Sequence, residues 1–118
     1  MTVIEINARR LGTWGEELAR HHYEILGYEC LEHSWRGSGG EIDLILEKDG
    51  EVVFAEVKTR SSARFGVPAA AVDHHKRQKI RATSLEWLTQ RDIGYSDMRF
   101  DVVSVDADGE VEVLEGCF

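Results

Sequence analysis

Two apolar, branched runs flanking a short polar turn constrain this chain more than any other feature: EIDLILE from Glu41, then KDG, then EVVFAEVK from Glu51. Asp-Gly between such runs is the strongest short-range hairpin signal. Both central residues of a type I′ turn need φ > 0, which Gly adopts freely and Asp tolerates. With Asp49 and Gly50 at the centre, Lys48 faces Glu51, and residue numbers in each cross-strand pair sum to 99. Asp43 then falls opposite Glu56 and Glu41 opposite Lys58. Alternation along the strand puts Glu56 and Lys58 on one face, so Asp43, Glu56, Lys58 and Glu41 share it.

The rest of the chain supplies the partners for that hairpin. Leu11, Trp14, Leu18, Ile25 and Leu26 recur at helical spacing, and Gly27 follows where a C-cap places glycine, which predicts a helix over about 13–26. YECLEHSW reads as a weaker strand, and the glycine-rich RGSGG over 36–40 as a turn. After a loop through Ser61, Ser62, Gly66 and Pro68, a basic stretch over about 69–90 carries Val72, Ile80, Trp87 and Leu88 loosely at helical spacing. It predicts a second helix with one buried face. RFDVVSV and EVEVLEG flank DADG as a second hairpin. The order is α-β-β-β-α-β-β, an α/β chain with a mixed central sheet, and 118 residues fit a single domain over 1–118.

Charge narrows the function classes. A net charge of −8 argues against a protein that coats nucleic acid nonspecifically, since phosphate affinity comes from clustered Lys and Arg. Yet the basic residues gather in two places, Lys58 and Arg60 with Arg64, and the run HHKRQKIR from His74, so a local basic face remains compatible with an acidic whole. No apolar stretch is long enough to span a membrane and the start MTVIEINARR lacks a secretory signal, so the expected location is the cytoplasm. Cys30 and Cys117 lack metal-ligand spacing and are expected reduced, as packing residues.

Two carboxylates opposed across an antiparallel pair repel one another, so something must compensate. A hard divalent cation, Mg²⁺ or Mn²⁺, does so with one or two carboxylates plus water and substrate phosphate. Lys58 beside it would orient a water or answer charge developing on a phosphate. The competing reading is a solvated strand face whose charges Lys58 balances.

These residues carry a resemblance. Gly40-Glu41-Ile42-Asp43-Leu44-Ile45, a gap of twelve residues from Asp43 to Glu56, and Glu56-Val57-Lys58-Thr59-Arg60 are similar to the PD-(D/E)xK nuclease signature. With Gly15-Glu16 and Ala19, Gly27-Tyr28, Phe54-Ala55 and Arg99-Phe100-Asp101-Val102-Val103, nearly the whole chain resembles the YraN family of uncharacterised bacterial proteins. The resemblance implies a restriction-endonuclease-like three-layer fold, similar to that of archaeal Holliday-junction resolvases, and a role on nucleic acid. It implies Asp43 and Glu56 as metal ligands with the Val57 carbonyl as a third, Lys58 as the water-positioning residue, and Glu16 as an added acidic member. Two positions depart from the family pattern: Ser34 stands where Asn commonly precedes Trp-Arg, and Ala55 where Val commonly follows Phe.

Other candidates are weighed on the same terms. Thr13-x-x-Glu16 has capping-box spacing, which offers Glu16 a structural role in place of a functional one. Glu17 is expected to be a solvated charge. His21-His22 and His74-His75 are adjacent pairs that diverge by roughly 100° on a helix and chelate a metal poorly. Arg36, Arg60, Arg64, Lys76 and Lys79 are candidate phosphate contacts. Trp14, Trp35 and Trp87 are expected in or near the core, and Asp101 is either a strand-face charge or a partner of Arg99. The leading expectation is a metal-dependent nuclease that hydrolyses phosphodiester bonds in DNA, branched or junction DNA included, with Mg²⁺ or Mn²⁺ as cofactor. The alternatives are a catalytically silent domain that binds nucleic acid or a partner, and a structural module. Junction resolvases suggest a two-fold homodimer, although no segment announces an interface.

Overall fold

The computed structural model describes residues 3–60, 73–91 and 97–118, with side chains from Leu11 onward. The elements are α1 (Val3–Ile25), β1 (Glu29–Arg36), β2 (Glu41–Lys48), β3 (Glu51–Thr59), α2 (His74–Arg91), β4 (Asp97–Val105) and β5 (Val111–Leu114). The sheet runs in the order β1-β2-β3-β4-β5, antiparallel except for the parallel pair β3 and β4. A mixed five-stranded sheet between two helices is the three-layer α/β arrangement expected from the sequence. The expected loop through Ser61, Ser62, Gly66 and Pro68, with Arg64, and the segment that includes Val72 lie outside the described residues.

The Asp-Gly turn sets the register as expected. Asp49 and Gly50 have φ of 51° and 83°, and the ladder pairs Lys48↔Glu51, Glu47↔Val52, Leu46↔Val53, Ile45↔Phe54 and Leu44↔Ala55. It stops there. Glu41 pairs instead with Arg36 across β1, and the expected pairing of Glu41 with Lys58 does not form, because β2 diverges from β3 beyond Leu44.

The central strand explains why EVVFAEV reads as nearly continuous apolar sequence: β3 is covered on both faces. Val53 and Ala55 pack with Ala19 and Tyr23 of α1 and with Leu44, Leu46, Val103 and Val105. On the opposite face Val52 and Phe54 pack with Ile42, Ile45 and Trp87 of α2, while Ile80 covers Val102. Burying side chains the size of Phe54 contributes roughly 1.5–3 kcal/mol each, and Phe54 adds an edge-to-face contact with Trp87 at 5.9 Å.

Helix α1 departs from the reading in two ways. It starts at Val3, ten residues before the expected start at Thr13, because the helix-favouring Ala, Arg and Leu upstream extend it and Gly12, at a cost of roughly 1 kcal/mol, does not stop it. Its buried stripe is Gly15, Ala19 and Tyr23, whereas Ile25 and Leu26 are 72% and 49% exposed. Trp14, expected near the core, is partly exposed and lies against Gly109 of the β4–β5 turn. Trp87 is fully buried and Trp35 half-buried beside it, as expected.

Asp101 resolves as the partner of Arg99. It is fully buried, accepting hydrogen bonds from Arg99 Nε (2.8 Å), the Tyr23 hydroxyl (2.8 Å) and the Gly116 amide (3.0 Å). Every acceptor position so used is satisfied within the fold, which ties α1, β4 and the segment after β5 together.

Candidate functional site

The site begins where β2 leaves β3. In β1 and β2 the alternation of faces breaks at the same level. Ser34 sits at φ 49°, and Trp35 and its partner Ile42 both turn toward α2, although His33 and its partner Leu44 lie on the other side. Asp43 lies inside this irregularity. One pair beyond the end of the ladder, its Oδ2 accepts the Val57 amide at 2.8 Å, so a side chain replaces a backbone partner and the carboxylate is carried to Glu56. Glu56 is the one charged residue in the buried run of β3, only 7% exposed.

Such a pair is electrostatically loaded. Burial, and then the charge of Glu56, push the Asp43 carboxyl up to about 8, against the pull of the Val57 hydrogen bond. Two lysines answer it. Lys76 Nζ lies 2.6 Å from Glu56 Oε1, and Lys58 Nζ lies 3.6 Å from the same oxygen. Burial and the neighbouring Lys76 hold Lys58 below the ordinary lysine range, opposed by Glu56. For Lys76 burial acts downward, but the hydrogen bond to Glu56 and the charges of Glu56 and Asp43 carry it above that range. The two ammonium groups therefore differ: one is a firm cation and the other gives up its proton more readily.

Glu16 joins from α1. Because the helix begins at Val3, Thr13 is internal and cannot be an N-cap, which removes the capping-box reading. Instead Glu16 Oε2 accepts the Ser34 hydroxyl at 3.1 Å. Burial raises its carboxyl, Ser34 lowers it, and the charges of Glu41 and Glu56 add to the rise. Its approach depends on Gly15: a Cβ there would lie 2.0 Å from Thr59 Oγ1, so only glycine lets α1 come this close to the end of β3. Glu17 is exposed, as expected.

The carboxylates open into a cleft of about 510 Å³ lined by Gly40, Glu41, Asp43 and Glu56 on the strand side and by Asp73, His75, Lys76, Lys79 and Ile80 on the helix side. Asp73 caps α2, its Oδ1 accepting the Lys76 amide at 2.8 Å, so α2 starts at His74; the expected start near Ala69 lies outside the described residues. The turn over 36–40 is fixed to α2 through Glu86, which accepts the Ser38 amide and hydroxyl at 3.0 Å each. Of the expected phosphate contacts, Lys76 and Lys79 line the cleft, Arg36 is exposed beside Glu41 at 3.3 Å, and the Arg60 amide bonds to Val105 at the end of β3. Arg64 lies outside the described residues. The sequence reading passed over Asp73 and Glu86 and named Gly15 only within the family motif; Asp73 carried a signal, an N-cap residue before the basic helix.

The model of Uncharacterised protein family UPF0102 matches residues 15–105, from Gly15 at the helix contact to Val105 at the end of β4. The chain belongs to the UPF0102 family. Similar members include a UPF0102 protein of Syntrophomonas wolfei, 42% identical over 82% of this chain and 84% of its own length, and one of Nocardia farcinica, 46% identical over 80% and 75%. A third, from Caldanaerobacter subterraneus, is 37% identical over 94% of this chain and 91% of its own. The UPF0102 match thus spans every residue brought together here, Glu16, Asp43, Glu56, Lys58 and Lys76.

A metal would meet hard oxygen donors in this UPF0102 site. The donor set is two carboxylates forced together in a buried place, with Val57 following Glu56 in β3. Among the described residues no group of three or more His, Cys, Asp or Glu side chains is arranged to hold a metal, the His21-His22 and His74-His75 pairs included. An ion held by these two carboxylates alone would have to keep several waters, as Mg²⁺ does. Among the described residues no helix is long and apolar enough to cross a membrane.

Proposed function

We propose that this domain is a metal-dependent phosphodiester hydrolase acting on DNA, with branched or junction DNA among its substrates. The observation that carries the reading is the meeting of Asp43 and Glu56 at the end of the β2–β3 ladder with Lys58 beside them. Asp43, Glu56 and the Val57 carbonyl would hold Mg²⁺ or Mn²⁺, and a bound ion would supply electrostatic stabilisation to charge building on the phosphoryl oxygens. Lys58 orients the attacking water, and burial beside Lys76 holds its ammonium below the ordinary lysine range, so it gives up a proton more readily than an exposed lysine. Glu16, held by Ser34, adds an acidic group on the α1 side. Arg36, Arg60, Lys76 and Lys79 take the phosphates, which confines DNA affinity to one face of an acidic protein and makes it steeply salt-dependent. Cutting the two symmetric strands of a junction calls for two sites, so a two-fold homodimer in the cytoplasm belongs to this reading.

A second reading, a nuclease-fold domain that binds nucleic acid or a partner without cutting, is favoured by one observation: Lys76 already neutralises Glu56. Calorimetric titration of Mn²⁺ or Mg²⁺ into the wild type and Asp43→Asn, with cleavage of a four-way DNA junction followed in parallel, separates the two. Hydrolysis expects metal binding by the wild type alone and cleavage that follows it. Binding of the junction with no cleavage at saturating metal would leave the second reading in place.

A further inference from the structure

Lys76 sits on an oxygen of Glu56, one of the two carboxylates that would hold a divalent cation. Its Nζ is 2.6 Å from Glu56 Oε1, the more solvent-excluded partner of the carboxylate pair, and the charge of Asp43 also favours its ammonium form. A metal on the same oxygen at about 2.1 Å would put two cations within about 5 Å of each other, so the two occupants exclude one another. Nothing in the helix holds the lysine there. Lys76 lies in the first turn of α2, where the helix dipole disfavours a positive charge. Its backbone amide, by contrast, is pinned to Asp73 Oδ1, so the side chain can leave without moving the helix. Its side chain is 40% exposed and borders the open cleft of about 510 Å³, which gives it somewhere to go.

We propose that Lys76 is a resident counter-ion of the Asp43–Glu56 pair that a divalent cation must displace, and that its displaced Nζ moves into the cleft beside Lys79. The inference rests on the metal reading above and deepens it. It makes the apo site stable without metal, sets a threshold cation concentration for loading, and frees a positive charge on the side of the cleft where an anionic substrate would lie only once the metal is in place.

The test measures Mg²⁺ binding by calorimetry to the full-length wild type, Lys76→Met and Lys76→Gln. In parallel, lysine acylation at Lys76 is read by mass spectrometry with and without Mg²⁺, using Lys48, whose Nζ is held by the Leu26 carbonyl, as the internal control. Both variants should bind Mg²⁺ at least tenfold more tightly than the wild type. Mg²⁺ should raise acylation of wild-type Lys76 severalfold and leave Lys48 unchanged. Equal Mg²⁺ affinities, or acylation of Lys76 that stays constant at saturating Mg²⁺, would overturn the proposal while leaving the metal reading standing. No Mg²⁺ binding by any of the three proteins would remove the metal reading and this proposal with it. Thermal melts of both variants keep a folding failure of either one from deciding the result.

Discussion

The Cβ that Gly15 lacks would lie 2.0 Å from the Thr59 hydroxyl and 3.1 Å from both Thr59 Cβ and Cγ2, so the approach of α1 to β3 is set by a missing methyl group. Gly15→Ala gains helix propensity, but overpacking outweighs it, and a net loss of about 1–3 kcal/mol is expected in urea unfolding. Thr59→Ala in the same chain should recover most of that loss. Additive losses in the double variant would show that the contact is not the cause.

Ser34 occupies a left-handed conformation at φ 49° that costs a non-glycine residue stability. Asn tolerates this region far better, which would account for the Asn that the resemblance implies before Trp-Arg. Ser34→Asn should stabilise by about 0.5–1 kcal/mol, and Ser34→Val should lose about 1–2 kcal/mol. Thermal denaturation of the three proteins checks the order.

Asp43 gives the apo protein a pH dependence of a definite sign. Burial and Glu56 raise its folded-state value from 3.8 to about 8, so between those limits the folded chain holds more protons than the unfolded one. The stabilisation is complete below 3.8 and disappears as pH rises through about 8. With chelator present, the melting temperature of the wild type relative to Asp43→Asn should therefore fall steadily across that window. A difference that is flat with pH would mean that Asp43 titrates normally.

Asp101 lies within the same family signature but is predicted to act only on the fold. Asp101→Asn breaks a buried ion pair with Arg99 and should cost about 3–5 kcal/mol. Mg²⁺ affinity of the folded fraction should match the wild type, measured by calorimetry below the unfolding transition.

Much of this architecture can be read in the residues. Asp49-Gly50 specifies the hairpin and its register, because two positive φ angles in succession admit few other dipeptides. The divergence beyond Leu44 cannot be read that way, since it arises from paired irregularities at Ser34 and Asp43 in strands that meet only in the folded sheet. The orientation of α2 was hidden for a different reason. Two of its buried positions are Thr83 and Ser84, whose hydroxyls donate to the Lys79 and Ile80 carbonyls one turn earlier, so the packed face looks polar in sequence. That masked which way Lys76 points. Glu16 was obscured by periodicity, which marks the stretch of a helix that packs and not the residue where the helix begins.

The candidate site takes Glu16 from α1, Asp43 from β2, Glu56 and Lys58 from β3 and Lys76 from α2. No contiguous fragment shorter than 61 residues contains them all. During synthesis the carboxylates of the hairpin leave the ribosome before the lysine that neutralises one of them. A nascent chain halted after β3 would therefore carry the acidic pair with Lys58 as its one lysine partner, while in the finished chain Lys76 also sits on Glu56. The order of the elements along the gene thus makes the last-arriving cation, and not the first-formed strands, the event that closes the site.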